Sequence, residues 1–97
     1  MTLPVTFSLA AQGEVAAAVG AYDEIGRDLG DAFIAHVDDA LAIVSALPES
    51  KAVLYRDVRR IVLRRFPYSI FYRAQPTQIV VLGVRHQAAN PVEWPNR

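Results

Sequence analysis

The sequence contains no cysteine, which excludes disulfide bonds and thiolate metal sites. Histidine is scarce, and the spacing of His36 and His86 is not typical of a metal site. The chain also lacks a glycine-rich phosphate loop, so we predict neither a metal nor another cofactor. No apolar run approaches the length needed to cross a bilayer, and the first residues lack the basic start of a signal peptide. These absences predict a small soluble protein, and the lack of cysteine suits a cytosolic location.

Length and charge limit the organisation of the chain. With 97 residues, 53% of them hydrophobic, we predict a single domain over residues 1–97 with a small core. Residues 1–50 carry eight acids and one base, whereas residues 51–97 carry nine bases and two acids. Such halves either give the molecule a face suited to an anionic partner or neutralise each other within the fold.

The first half of the chain shows helical periodicity after a short strand at residues 5–7. Ser8 is a suitable N-cap for a helix over residues 10–27. Gly30 suits the end of that helix and Asp31 the N-cap of the next, which ends before Pro48. One face of the second helix is apolar, through Phe33, Val37, Ala40, Leu41, Val44 and Leu47. This pattern predicts an antiparallel helical hairpin with Asp38 and Asp39 on its polar side.

The second half has the period of strands, at residues 58–63, 69–74 and 79–85. The last of these is apolar at every position from 79 to 84 except Gly83, which predicts a central strand covered on both faces. Short connections make an antiparallel meander. We therefore predict an α+β fold in which the hairpin packs on a three- to four-stranded, mainly antiparallel sheet, with the N-terminal strand included.

Arginines and tyrosines gather at the ends of these strands. Guanidinium groups bind phosphates and carboxylates, and tyrosine adds a stacking plane, so this surface could hold RNA or an acidic or amphipathic peptide. Alternatively, its arginines pair with the acids of the helices. His86 could serve in acid–base catalysis or have a structural role. Trp94 could anchor the tail or stack on a ligand.

Four motifs carry a resemblance to a known family. They are Arg65-Phe66-Pro67-Tyr68, Ile70-Phe71-Tyr72-Arg73, Val84-Arg85-His86, and Pro91, Trp94 and Arg97 at three-residue spacing. In this order the chain resembles RelE/ParE-family toxins of type II toxin–antitoxin systems over nearly its whole length.

The resemblance implies a small cytoplasmic toxin that inhibits growth, can stabilise plasmids and is neutralised by a cognate antitoxin. The antitoxin of such a toxin crosses the helical hairpin and the open sheet. RelE-like members cleave mRNA on the ribosome with basic and tyrosine residues. ParE-like members bind DNA gyrase and need no nuclease residues.

Three departures favour the ParE-like branch. Ser69 stands where RelE-like enzymes carry an arginine, Ala88-Ala89 where relatives carry a basic pair, and Trp94 where a catalytic tyrosine is expected. We therefore predict a toxin that binds a protein target such as DNA gyrase. Its predicted target- or antitoxin-binding residues are Arg64, Arg65, Tyr68, Tyr72, Arg73, Arg85, Trp94 and Arg97.

Two alternatives remain open. The chain could be a ribosome-dependent mRNA endonuclease, whose catalytic candidates are Arg64, Arg73, Arg85 and His86. It could also be a toxin of weakened activity that is kept as an antitoxin-binding module.

Overall fold

The structure is a computed structural model that describes residues 2–88. Two helices lie against one face of a five-stranded mixed sheet, whose strand order is β1-β5-β4-β3-β2. Strand β1 runs parallel to β5, and the other neighbouring strands are antiparallel. The elements are β1 (Val5–Phe7), α1 (Leu9–Ile25), α2 (Leu29–Ala46), β2 (Val53–Tyr55), β3 (Val58–Val62), β4 (Tyr68–Ala74) and β5 (Ile79–His86).

The helical hairpin is confirmed, with one correction at its turn. The Ser8 hydroxyl accepts the Ala11 N–H at 3.1 Å, as expected for an N-cap. However, α2 begins at Leu29, so Gly30 lies inside the helix and Asp31 is not its N-cap. The reason is that the Asp23 carboxylate of α1 accepts the Gly30 N–H at 2.9 Å and satisfies one of the free amides at the start of α2.

The predicted apolar face of α2 forms much of the core. Phe33, Val37 and Val44 are each at most 2% exposed and belong to one core cluster with buried residues of β3, β4 and β5. Leu47 is 60% exposed, because the helix ends at Ala46 and Leu47 is its C-cap. Asp38 is exposed, as predicted for the polar side. Within residues 2–88, neither helix combines the length and hydropathy of a membrane span.

Strand β5 is an interior strand of the sheet, as predicted, because it lies between β1 and β4; only the predicted cover on both of its faces is wrong. The middle strand is β4, and the helices cover one face of β5 only. Ile79, Val81 and Val84 are buried, whereas Val80 is half-buried. Burial is not strictly alternate because a β-bulge between β4 and β5 inserts one extra residue at Leu82.

Strand β2 was not predicted from the sequence. It is three residues long and pairs with β3 through a turn in which Arg56 adopts a left-handed conformation, with φ 54°. Its three side chains are exposed, so they leave no alternation of buried and polar residues to indicate a strand. With this strand the sheet has five strands rather than the predicted three or four.

Candidate functional site

The two faces of the sheet differ in what they can bind. We call the face that packs on the hairpin the helix-covered face and the opposite one the helix-free face. Residues directly opposite each other on neighbouring strands share a face. The pairs Arg60–Phe71, Ser69–Arg85 and Arg73–Val80 therefore belong to the helix-free face.

Three arginines, at positions 60, 73 and 85, thus lie on the helix-free face. Arg60 was not singled out from the sequence, although it alternates with buried Ile61 and Leu63 in the pattern expected of a residue facing away from the core. On the helix-free face, Arg85 lies opposite Ser69 and Arg60 lies opposite Phe71. Ser69 and Phe71 are both uncharged and buried.

Two of these arginines are held by acids of the same chain. Arg73 lies 2.9 Å from Asp57 in the turn after β2, and Arg85 lies 3.9 Å from Glu14 of α1. The alternative in which helix acids neutralise the arginines therefore applies to Arg85, whereas Asp57 belongs to no helix. Glu14 also accepts the Val84 N–H at 2.8 Å, where β1 has ended and no other strand within residues 2–88 pairs with that edge of β5.

Tyr72 does not reach the surface that the sequence predicted for it. Its side chain is 0% exposed on the helix-covered face, and its hydroxyl lies 3.5 Å from the Pro48 carbonyl. Burial raises the pKa of Tyr72, and the nearby Arg59 opposes the rise only in part. The tyrosine is a core residue and cannot contact a partner while the fold is intact.

Tyr68 also lies on the helix-covered face, where it belongs to an aromatic cluster. Its ring centroid lies 4.9 Å from that of Phe33 and 5.2 Å from that of His86, both in edge-on geometry. Burial raises the pKa of Tyr68, and the neighbouring Tyr22 raises it further. Phe66 completes the cluster against Tyr22 and Phe33, so the Phe66-Pro67-Tyr68 motif joins the hairpin turn to the sheet.

One cleft brings three of the predicted residues together. Tyr68, Arg85 and His86 line a cavity of about 250 Å³ with Glu14, over the small side chains of α1. His86 accepts the Ala88 N–H at Nδ1, at 2.9 Å. Glu14 was missed from the sequence, because it is separated from Arg85 by most of the chain.

Arg64 and Arg65 lie apart from that cleft. They border a groove of about 410 Å³ between α2 and β3, together with His36 and Asp39. The lining of this groove also includes Ile43 and Val62, which are 49% and 46% exposed. The lining of the groove therefore combines apolar side chains with one acid, Asp39 of α2, and the two bases Arg64 and Arg65.

The remaining candidates complete the description of the site. Trp94 and Arg97 lie outside the described residues. Among residues 2–88, no three His, Cys, Asp or Glu side chains are grouped as metal ligands. The predicted residues therefore fall into four places: the cleft, the groove, the helix-free face and the core.

Comparison with known proteins agrees with this architecture. A chain of the chromosomal ParDE toxin–antitoxin system of P. aeruginosa superposes with a TM-score of 0.74 at 17% identity, over 88% of this chain and 96% of that one. A chain of the RelBE2 toxin–antitoxin complex of Mycobacterium tuberculosis gives 0.58 at 22% identity, over 89% and 99%. No curated protein matches by sequence.

The family model described as the ParE toxin of the type II toxin–antitoxin system parDE matches residues 5–91. This match covers every helix and strand of the structure, from β1 to β5. The chain therefore belongs to the RelE/ParE family of type II toxins, as the ParE toxin match shows.

Proposed function

We propose that this chain inhibits growth by binding a protein target such as DNA gyrase, and that it does not cut RNA. The observation that supports this proposal is that two of the three arginines of the helix-free face lie apart from the acid–base groups. Arg60 and Arg73 lie on the helix-free face, whereas Tyr68 and His86 begin on the helix-covered face. RNA cleavage requires cations and a proton-transferring group at the same phosphate, and arginine cannot transfer the proton because it remains charged.

The spacing of the arginines supports the same proposal. Arg85 is paired with Ser69, which lies four residues from Arg73 on β4. Four residues of strand span about 13 Å, and the two guanidinium groups contact different acids, Asp57 for Arg73 and Glu14 for Arg85. Ser69 itself is 5% exposed and uncharged, at the position where RelE-like enzymes carry an arginine.

The second part of the proposal concerns the antitoxin. Type II toxins of this family are partnered by antitoxins, and both structural neighbours are toxin–antitoxin systems. On this chain, the exposed carboxylates of Asp38 and Asp39 suit basic residues of an antitoxin that crosses the hairpin. Because the proposed targets are cytoplasmic, the proposal also places the toxin in the cytoplasm.

A specific observation favours a second candidate function, mRNA cleavage on the ribosome. Tyr68, Arg85 and His86 share the cleft beside Glu14, so a proton-transferring imidazole and a guanidinium line one cavity. Against this, Arg85 is already near Glu14, and His86 uses Nδ1 as an acceptor within its own turn. The third candidate, an antitoxin-binding module without toxicity, needs none of these groups.

Expression without antitoxin tests the proposal. We expect growth to stop, with DNA breaks and intact mRNA, and the purified chain to inhibit supercoiling by gyrase. His86→Gln should leave the growth arrest unchanged, because the proposed activity uses no proton transfer. Arg60→Glu and Arg73→Glu, on the helix-free face, should weaken it.

Two outcomes would overturn this proposal. Cleavage of mRNA at ribosomes that disappears in Arg85→Ala would establish the nuclease. Normal growth despite a folded, soluble chain that still binds the antitoxin would establish the binding module.

A further inference from the structure

A cavity of about 680 Å³ lies between the C-terminal end of α2 and the turn that joins β4 to β5. Residues 46–50, residues 74–76 and Leu3, which precedes β1, form its walls. These walls are mostly apolar, and one of their side chains, Leu47, is 60% exposed. Sites for small molecules have volumes of about 300–1,000 Å³ and mostly apolar walls, so the cavity has the size and lining of such a site. It shares no residue with the cleft or the groove described above.

Hydrogen bonds hold the walls of the cavity in place. The Leu3 N–H donates to the Ser45 carbonyl at 3.2 Å, and the Ser45 hydroxyl donates to the Leu3 carbonyl, so the N-terminal segment is tied to α2. In the turn after β4, the Gln75 N–H donates to the Gln78 carbonyl at 2.9 Å. A ligand would therefore enter a site that is already formed and would lose little free energy in ordering it.

The charge at the cavity is negative. Among the described residues that line it, only Glu49 is ionisable, and its carboxylate has no ion pair within residues 2–88. The carbonyl groups at the end of α2 add partial negative charge, since the last turn of the helix has no basic residue. The carbonyl of Ala46 also loses its usual partner four residues on, because the Ser50 N–H donates to the Leu47 carbonyl instead, at 3.0 Å. These groups favour a cation over an anion.

The bases that follow Glu49 in the chain do not neutralise its carboxylate. Neither Lys51 nor Arg59 lines the cavity. The Arg59 guanidinium donates instead to the backbone carbonyls of Glu49 and Lys51. The Glu49 carboxylate is therefore left for a positive group that a ligand brings.

From these observations we propose that the cavity binds a small amphipathic amine, with an ammonium group on an apolar body. The ammonium group contacts the Glu49 carboxylate and the carbonyls at the end of α2. The apolar body covers Leu3 and the exposed Leu47. An alcohol of the same shape lacks the charge, and a carboxylate is repelled by Glu49. The site does not depend on the proposed function, because it uses none of the residues assigned to the toxin activity.

Titration of the full chain with phenethylamine at neutral pH, followed by the NMR shifts of backbone amides, tests the site. We expect saturable shifts at Leu47, Glu49 and Gln75. Phenethyl alcohol should bind at least about tenfold more weakly than the amine, and hydrocinnamate more weakly still. Equal affinity for the amine and the alcohol would overturn the choice of a cation. An absence of saturable shifts at these residues up to about 10 mM amine would overturn the site itself.

Two variants separate the charge from the apolar contact. Glu49→Gln should weaken binding of phenethylamine about tenfold and leave the alcohol unchanged, whereas Leu47→Ser should weaken both. Both side chains are exposed, so the fold should withstand either change. Glu24→Gln is the matched control, since it removes the same charge at an exposed position near the hairpin turn, and it should leave both affinities unchanged. Equal losses of amine affinity in Glu49→Gln and Glu24→Gln would indicate only a general field effect and would overturn the assignment to the cavity.

Discussion

The contact between Asp23 and Gly30 predicts that Gly30→Ala changes stability in opposite directions with and without the Asp23 carboxylate. The Asp23 carboxylate accepts the Gly30 N–H at 2.9 Å and lies where a side chain at position 30 would be. An added Cβ at Gly30 would be 2.5 Å from Oδ1 and 2.8 Å from Cγ of Asp23. Gly30→Ala must therefore push the carboxylate away from the amide that it binds.

Two opposing effects determine how Gly30→Ala changes the free energy of unfolding. Alanine is better than glycine in a helix by about 1 kcal/mol. Loss of the Asp23 cap costs about 1 kcal/mol, and loss of a carboxylate beside the start of α2 adds roughly 0.5 kcal/mol. We therefore expect Gly30→Ala to destabilise the chain by about 0.5 kcal/mol when Asp23 is present. In the Asp23→Ala background there is no carboxylate to displace, and the same change should stabilise by about 1 kcal/mol.

Urea unfolding of the four chains measures this coupling, which we expect to be about 1.5 kcal/mol. Gly20→Ala is the control, because nothing lies within 4 Å of a Cβ added at Gly20 in α1. It should stabilise both backgrounds equally. If Gly30→Ala has the same effect with and without Asp23, to within about 0.4 kcal/mol, the assignment of Asp23 as the cap of α2 is refuted.

Three further predictions concern pH, the edge of β5 and the antitoxin. Because the pKa values of Tyr68 and Tyr72 are raised in the fold, the unfolded chain loses these protons first, so stability should fall as pH rises above about 10. The double Phe variant should flatten this fall, measured as the urea midpoint between pH 8 and pH 11, and an equal fall would contradict it. Glu14→Ala should destabilise by about 2 kcal/mol in urea unfolding, because the edge amide that Glu14 binds loses its acceptor; a cost near zero would argue against that role. Replacing Asp38 and Asp39 together by lysine should weaken antitoxin binding about tenfold in titration calorimetry, and unchanged affinity would exclude an electrostatic contact there.

The sequence was sufficient to predict the elements that rest on local rules. The capping hydroxyl of Ser8, the apolar face of α2 and the alternation around Ile61 all depend on residues within a few positions of one another. The predicted start of α2 was wrong because Asp23, whose carboxylate binds an amide in its first turn, comes from the other helix. Strand β2 was missed because its three exposed residues form no amphipathic pattern.

The candidate site was harder to predict, because its composition depends on the face to which each side chain belongs. Tyr72 matched the motif but lies in the core, and only the register of β4 against β3 and β5 shows this. Arg60 and Glu14 were missed because their importance comes from the strands and edges beside them rather than from neighbours in the chain.

The relation between Arg85 and His86 shows how the structure changes the functional argument. The two residues are adjacent in a motif of the family, so the sequence presents them as one basic pair. In β5, adjacent residues point to opposite faces: His86 is paired with Tyr68 on the helix-covered face and Arg85 with Ser69 on the helix-free face. They meet again only at the strand edge, where Glu14 approaches Arg85. Nuclease activity in this chain would therefore have to arise at that edge and not on the sheet. Arg85→Ala together with Glu14→Ala then distinguishes a nuclease from a toxin that binds a protein target.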